Sequence, residues 1–456
     1  MSDPILQSNQ SSAVVATVNA STVKNPWVYD EKDRLTVPHS MQLLPIPRQS
    51  GSFRPHSECE FAVAKNGVAQ GFWLRVYIDY PHTQSVHHWT EFRFLDLIDQ
   101  ITLSTSGRVV ETLDKFQIMA RYHQLPLSRK SAMHFYAPLD RPVSEKEYNI
   151  WIPFYMFRDP MRYGILTNFE EPHQVTVKWS DLICSRGAHY NDVQQANNTD
   201  PLTVTDAHLL VHYRLLDEPQ LNHIVSKNYG DGMLSRLVGI AKREAVERVS
   251  GGDAIIVPIQ SLNYNPFADP PSFNDALVEV ANNFVRQKTV SIDLKESEAI
   301  RAMYVMVVTN AADPRAENAR SVCKIKHLKL TFNNTDVVDA SGAFLQQYGS
   351  DWDMMHGEDI SHVEGLTHNI IRIDLGHGSD AAMKNVVAMR EISKPTLTVT
   401  FEQQLPKIVY EELDQNDVVL GYRVVPYEHQ VHVLYETATF LSCSANTGRV
   451  QLSAST

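Results

Sequence analysis

YNIWIPFYMFRDPMRYGILTNFEEPHQVTVKW, residues Tyr148–Trp179, is the stretch on which the reading of the whole chain turns. At period two, Ile150, Ile152, Phe154 and Met156 fall on one side of an extended segment and Trp151, Tyr155 and Phe157 on the other. Both sides are apolar, as in a strand covered on two faces deep in a sandwich. Pro153 has no N–H to give a ladder, which predicts an edge or a bulge there. Beyond the Arg158-Asp159-Pro160 turn, Val175-Thr-Val177-Lys-Trp179 alternates apolar and polar residues, the pattern of a strand with one buried face. Nothing in the stretch is catalytic; it reads as architecture.

The 456 residues exceed one ordinary core, so two domains are expected. A hydrophobic share of 43% and a charged share of 21% are those of a globular protein, and 17 Phe with 18 Tyr suit β-rich packing. The formal charge of −12 argues against a surface that holds nucleic acid directly. No apolar run reaches the roughly 18 residues of a membrane-spanning helix, and MSDPILQSNQSS lacks the basic-then-apolar pattern of a secretory signal. Cys59, Cys184, Cys323 and Cys443 are scattered without a C-x-x-C pair, which predicts free thiols in a reducing compartment rather than a zinc site.

Along the chain, residues 1–50 are small, polar and then Pro-punctuated, and are expected to form an extended N-terminal arm. In this arm Lys24, Lys32, Arg34 and Arg48 are offset by Asp3, Asp30, Glu31 and Asp33, so it is not a polybasic genome-coating tail. A first sandwich is expected over 51–220. Its strands include Glu58–Ala64 and Gly71–Tyr80, with Lys65-Asn66-Gly67 between them as a hairpin signal, and His208–Leu216. Over Gly232–Val249 the residues Leu234, Leu237, Val238, Ala241, Ala245 and Val249 form a stripe at helical spacing. The spacing predicts a connector helix within 221–253, ended by Gly251-Gly252. A second sandwich follows over 254–456, with strands at Val290–Leu294, Met303–Val308, Lys324–Phe332, Ile371–Leu375, Leu397–Phe401 and Val431–Leu441. The fold class is therefore all-β, as two consecutive eight-stranded jelly-roll sandwiches with long loops and a few short helices.

The order of Ile98–Asp114, Ile152–Phe157, Leu209–Asp217, Ser291–Val308, Lys326–Tyr348, Ile370–Phe401 and Tyr435–Ser453 resembles that of the double jelly-roll major capsid proteins of icosahedral tailless DNA viruses, the lineage that includes large eukaryotic DNA viruses, adenovirus and tailless phages. Ile98–Asp114 (IDQITLSTSGRVVETLD) is similar to a first-roll strand with a glycine turn, Ser106-Gly107 standing where the family has two glycines. IPFYMF at Ile152–Phe157 resembles the family's P-x-P-F-W-F strand, and LLVHYRLLD at Leu209–Asp217 its strand ending in Tyr-x-x-Leu-Asp. In the second half, Ser291–Val308, Lys326–Tyr348, Ile370–Phe401 and Tyr435–Ser453 resemble the strand pair before a long tower loop, a strand–Asn-turn–helix unit and the closing strands. The resemblance implies a virion major capsid protein, made in the host cytoplasm or a viral factory, whose homotrimers have a pseudo-hexagonal outline and tile an icosahedral shell. The partners implied are the chain itself, neighbouring trimers, penton or minor capsid proteins, and an internal membrane met through the N-terminal arm.

Readings with chemistry were weighed against this one. A cupin metal site needs a His-x-His pair with a Glu and a further His; His429-Gln-Val-His432 and His87-His88 do not give that spacing. Gly376-His377-Gly378-Ser379-Asp380 lacks the G-x-S-x-G order of a nucleophile elbow. Asp351, Asp353, Glu358 and Asp359 lack the glycine and terminal glutamate of an EF-hand loop. No catalytic, cofactor-binding or metal-ligating residue is therefore assigned, no cofactor is expected, and the chain is read as not an enzyme. The alternatives are a glycan-binding or glycan-processing double jelly-roll protein, or a minor capsid or vertex protein on the same sandwich.

Overall fold

The computed structural model describes residues 15–17, 40–79, 97–105, 107–123, 147–156, 164–167, 172–182, 203–215, 233–250, 255–258, 287–310, 322–345, 369–375, 385–403, 409–413, 419–424, 426–444 and 450–454. After β1 (Val15–Thr17) come β2 (Ser40–Pro47), β3 (Ser50–Gly51), β4 (Glu58–Val63), β5 (Val68–Asp79), β6 (Ile98–Thr105) and β7 (Arg108–Asp114). Helix α1 (Lys115–His123) precedes β8 (Glu147–Ile152), β9 (Ile165–Leu166), β10 (His173–Trp179) and β11 (Thr203–Leu215). One sheet runs β2-β11-β5-β8, with β9 also on β5, and the other runs β3-β4-β10-β6-β7. Setting aside the two-residue β3 and β9, the roll strands pair first-eighth-third-sixth in one sheet and second-seventh-fourth-fifth in the other. That crossing pattern is the jelly roll.

Alternation explains how the two sheets meet. Along β10 the side chains His173, Val175, Val177 and Trp179 are buried while Gln174, Thr176 and Lys178 are half-exposed. Val175 joins Phe61, Ile101 and Leu103 of its own sheet and Phe72, Leu74, Leu209 and Val211 of the facing one in a single core. Each such side chain contributes roughly 1.5–3 kcal/mol on burial. β8 lies at a sheet edge and stops at Ile152, immediately before Pro153, as the missing N–H requires.

The second roll begins with β12 (Met233–Val249) and continues through β13 (Ile255–Pro258), β14 (Gln287–Asp293), β15 (Ala299–Asn310), β16 (Ile325–Phe332) and β17 (Thr335–Ser341). Then follow β18 (Ile371–Asp374), β19 (Asn385–Ala388), β20 (Thr396–Glu402), β21 (Val409–Leu413), β22 (Val419–Val424), β23 (Glu428–Ser444) and β24 (Val450–Ala454). β14-β20-β16-β17 faces β19-β15-β23-β12, to which β18, β24 and β1 are added, and β13-β22-β21 forms a small sheet apart. β18 and β19 both pair β15 and together take the sixth place, so the crossing order of the first roll recurs.

Three sequence expectations change. The connector helix expected within 221–253 is strand β12, paired with β23 from Met233↔Ser444 to Val249↔His429 around a bulge between Arg243 and Val246. Its stripe does fit a helix, but Val238, Ile240, Val246 and Val249 are β-branched and Gly239 sits mid-segment, all poor helix formers. A helix here would also leave the long edge of β23 without a ladder, so the distant partner overrides the local period. The arm expected over 1–50 contains β2, the first strand of the first roll, paired with β11 from Ser40↔Leu215 to Pro47↔His208. The Lys65-Asn66-Gly67 turn joins no hairpin, because β4 and β5 belong to opposite sheets. Gly67 is needed there for its φ of +95°, and an added Cβ would meet the Arg214 carbonyl at 2.6 Å.

Candidate functional site: the seam between the two rolls

The sheet containing β15 and β23 is buried on both faces. Met303, Val305 and Val307 of β15 belong to the second roll's core, while Ala302, Tyr304, Met306 and Val308 join the core of the first. Eleven consecutive residues of β15, Ala299–Thr309, are consequently buried. Where this sheet meets β7 and α1, the seam becomes polar.

At its centre lie Glu111 of β7 and Arg121 of α1, with side chains 0% and 4% exposed and 2.9 Å apart. Arg121 Nη1 donates to the Pro153 carbonyl at 2.6 Å, and Nη2 reaches across to the Gly239 carbonyl of β12 at 3.1 Å. Glu111 Oε1 accepts from the Ala241 N–H of β12 at 2.9 Å, and Oε2 from the Tyr155 N–H at 2.6 Å. Burial pushes the Glu111 carboxyl above its usual range, while Arg121 and the two amides oppose that shift. Every contact on it comes from a donor, so the ionised form is the one the site fits.

Around this pair the basic residues of β12 meet acids of both rolls. Arg243 Nη1 lies 2.7 Å from Asp114 Oδ2, and Lys242 lies 3.1 Å from Glu296 and 3.1 Å from Glu298. Phe116, in the first turn of α1, stacks on His432 of β23 with centroids 4.0 Å apart, and the Arg243 guanidinium lies over the same ring at 5.4 Å. His432 is buried and its imidazole is driven down to about 3, first by desolvation and then by Arg243 and Lys115. His429, three residues earlier and on the opposite face of the sheet against Phe401, is lowered to about 4 by desolvation and by Lys288. Chemically the seam is a lock in which backbone groups of one roll complete the hydrogen bonds of charges in the other.

The weighed histidines His429 and His432 are thus core residues, and among the described residues no three His, Cys, Asp or Glu side chains converge on a metal position. Cys59 and Cys323 are buried thiols, Cys323 Sγ lying 3.3 Å from the Thr309 hydroxyl, and burial pushes the Cys59 thiol up to about 12. His87-His88, Gly376–Asp380, the acids Asp351, Asp353, Glu358 and Asp359, and Cys184 lie outside the described residues. Among the described residues no helix is long and apolar enough to cross a membrane. Sequence reading passed over Glu111 and Arg121. The available signal was a lone acid in the apolar run Val109–Leu113, followed by a lone base in the buried helix IMARY.

No protein-family model and no curated protein sequence matches the chain. Solved structures do match its fold. PBCV-1 VP54, as fitted into a reconstruction of the virophage Sputnik, aligns with a TM-score of 0.58 at 9% identity over 92% of this chain and 98% of that one. The mavirus major capsid protein gives 0.52 at 10% identity over 92% and 91%, and the Faustovirus major capsid protein 0.52 at 6% over 89% and 90%. With both rolls, their crossing order and nearly the whole length of each relative accounted for, the chain has the double jelly-roll fold of the major capsid proteins of icosahedral DNA viruses.

Proposed function

We propose that this chain is a major capsid protein, with a structural rather than catalytic role in the virion shell. Three copies form a homotrimer whose six jelly rolls give a pseudo-hexagonal tile, and such tiles cover an icosahedral surface. The observation that carries this reading is the same eight-strand crossing order twice in one chain, the two rolls locked side by side. Two matched units per chain let a threefold ring present six corners, and closed cyclic symmetry repeats one interface three times. Neighbouring trimers and penton or minor capsid proteins are the partners of this reading. An acidic chain with a charge-balanced arm is suited to a shell whose N-terminal side faces an internal membrane or other proteins, without contact to the genome.

Light scattering after size exclusion tests the assembly. A mass about three times the 51.7 kDa chain, with hexagonal outlines in negative stain, is expected. A clean monomer at micromolar concentration counts against the proposal. Cross-linking of residues 1–30 to packaged DNA would overturn the genome-free side of it.

A further inference from the structure

A ring of six rolls built from three chains has two kinds of seam. One joins the rolls within a chain; the other joins the second roll of one copy to the first roll of the next. The within-chain seam sets the fifth strand of the first roll and the helix after it, β7 and α1, against the first and eighth strands of the second roll, β12 and β23. Repeating that contact around the ring sets β17 and the helix at 342–345, the fifth strand of the second roll and its following helix, against β2 and β11 of the neighbouring copy. Both surfaces are sheet ends among the described residues: β2 pairs only β11, and β17 only β16.

The side chains at these two places are those expected of a partner contact. Six large hydrophobic residues are exposed among the described ones, and four of them lie here: Met41 (52%) and Leu43 (54%) on β2, Val337 (37%) on β17 and Phe344 (56%) in the helix that follows. β2, SMQLLPIP, carries no charged residue. The correspondence extends to the kind of side chain, one position apart in cap register, for Gln117 N–H donates to Asp114 Oδ1 and Phe344 N–H to Ser341 Oγ. Phe116 enters the helix after β7 and stacks on His432 of the eighth strand; Phe344 enters the helix after β17. Opposite Leu43 on β11 stands His212, half-exposed, between the inward-facing Val211 and Tyr213.

From the repeat of the seam and the exposed apolar residues on both elements, we infer that the face of β2 bearing Met41 and Leu43, with His212 beside it, receives Phe344 and Val337 of a second copy of this chain, and that this contact closes the trimer. The inference rests on the trimeric reading above and assigns its interface. Apolar anchors at the centre of such a contact carry most of its energy, and a heterologous contact of this kind is what a closed ring requires.

Full-length Leu43→Asp and Phe344→Asp are compared with the wild type by light scattering, with far-ultraviolet circular dichroism as the check on folding. The wild type is expected as a trimer and each variant as a folded monomer. A second arm pairs Leu43→Cys with Phe344→Cys under mild oxidation. The double variant is expected to give a ladder up to trimer on a non-reducing gel, and each single variant none. Trimeric Asp variants, or a trimer whose double-cysteine form does not cross-link, overturn the interface and leave the trimer standing. A monomeric wild type overturns both. Should the Asp variants lose their β spectrum, the cysteine pair alone decides.

Discussion

Arg121 and Glu111 are held by backbone groups from two separate segments, Pro153–Tyr155 and β12, so neither residue can be removed cleanly. Arg121→Met leaves a buried carboxylate and the carbonyls of Pro153 and Gly239 without their donor. A loss of roughly 3–5 kcal/mol is expected, the usual cost of orphaning one member of a buried pair. It is read as a drop in urea midpoint. Replacing both residues by Leu should restore only part, because the Ala241 and Tyr155 amides and the two carbonyls stay unsatisfied. The histidines set a pH limit. Their unfolded value is near 6.5, whereas His429 and His432 in the fold are lowered to about 4 and about 3. Below about pH 6.5 the unfolded chain therefore binds protons that the folded chain does not. Their contribution is complete above that pH and is lost as it falls toward the folded values, at up to about 1.4 kcal/mol per group per pH unit. His432→Phe, which keeps the stack on Phe116, should make the urea midpoint fall less between pH 7 and pH 5 than in the wild type.

Among elements, those legible in the sequence were the ones whose pattern is local. β10 alternates in both its residues and its burial, and the Asn turn after β16 is Asn333-Asn334, with φ of 52° and 62° as a two-residue mirror-image turn requires; strand β17 comes between it and the helix that the resemblance implies there. Asn tolerates that region and Gly prefers it, so Asn334→Gly should leave stability unchanged or raise it slightly. Asn334→Val should cost about 1–2 kcal/mol, measured as a shift of the thermal midpoint. β12 was not legible, because its six-residue stripe fits the helical period and the partner that overrides it, β23, lies almost two hundred residues on. The Lys65-Asn66-Gly67 turn misled for a related reason. Turn chemistry shows that the chain reverses, and only the sheet order shows that it changes layer. The seam was illegible on the same ground: Glu111 meets Ala241, and Arg121 meets Gly239, through backbone atoms that no side-chain pattern encodes.

For the whole molecule, the shared sheet makes the rolls interdependent. The first core is completed by Ala302, Tyr304, Met306, Val308 and Leu434 from the second roll. Residues 40–215 expressed alone would expose that apolar face together with the Glu111–Arg121 pair. The fragment is expected to aggregate or to bind a hydrophobic dye, where the full chain does neither; a soluble, cooperatively melting fragment would show the first roll to be self-sufficient. The pairing of first with last strands, β2 with β11 and β12 with β23, reaches further than stability. A ribosome releases β12 almost two hundred residues before β23, so the second roll has no closing strand until that whole stretch has been made. Contacts of such long sequence separation form slowly, and until then β12 and β15 present bare edges that invite pairing with another chain. A message cut short anywhere before β23 therefore yields a product that cannot close. The position of one strand thus acts as proofreading, since only chains translated through β23 can take the shape a shell would use.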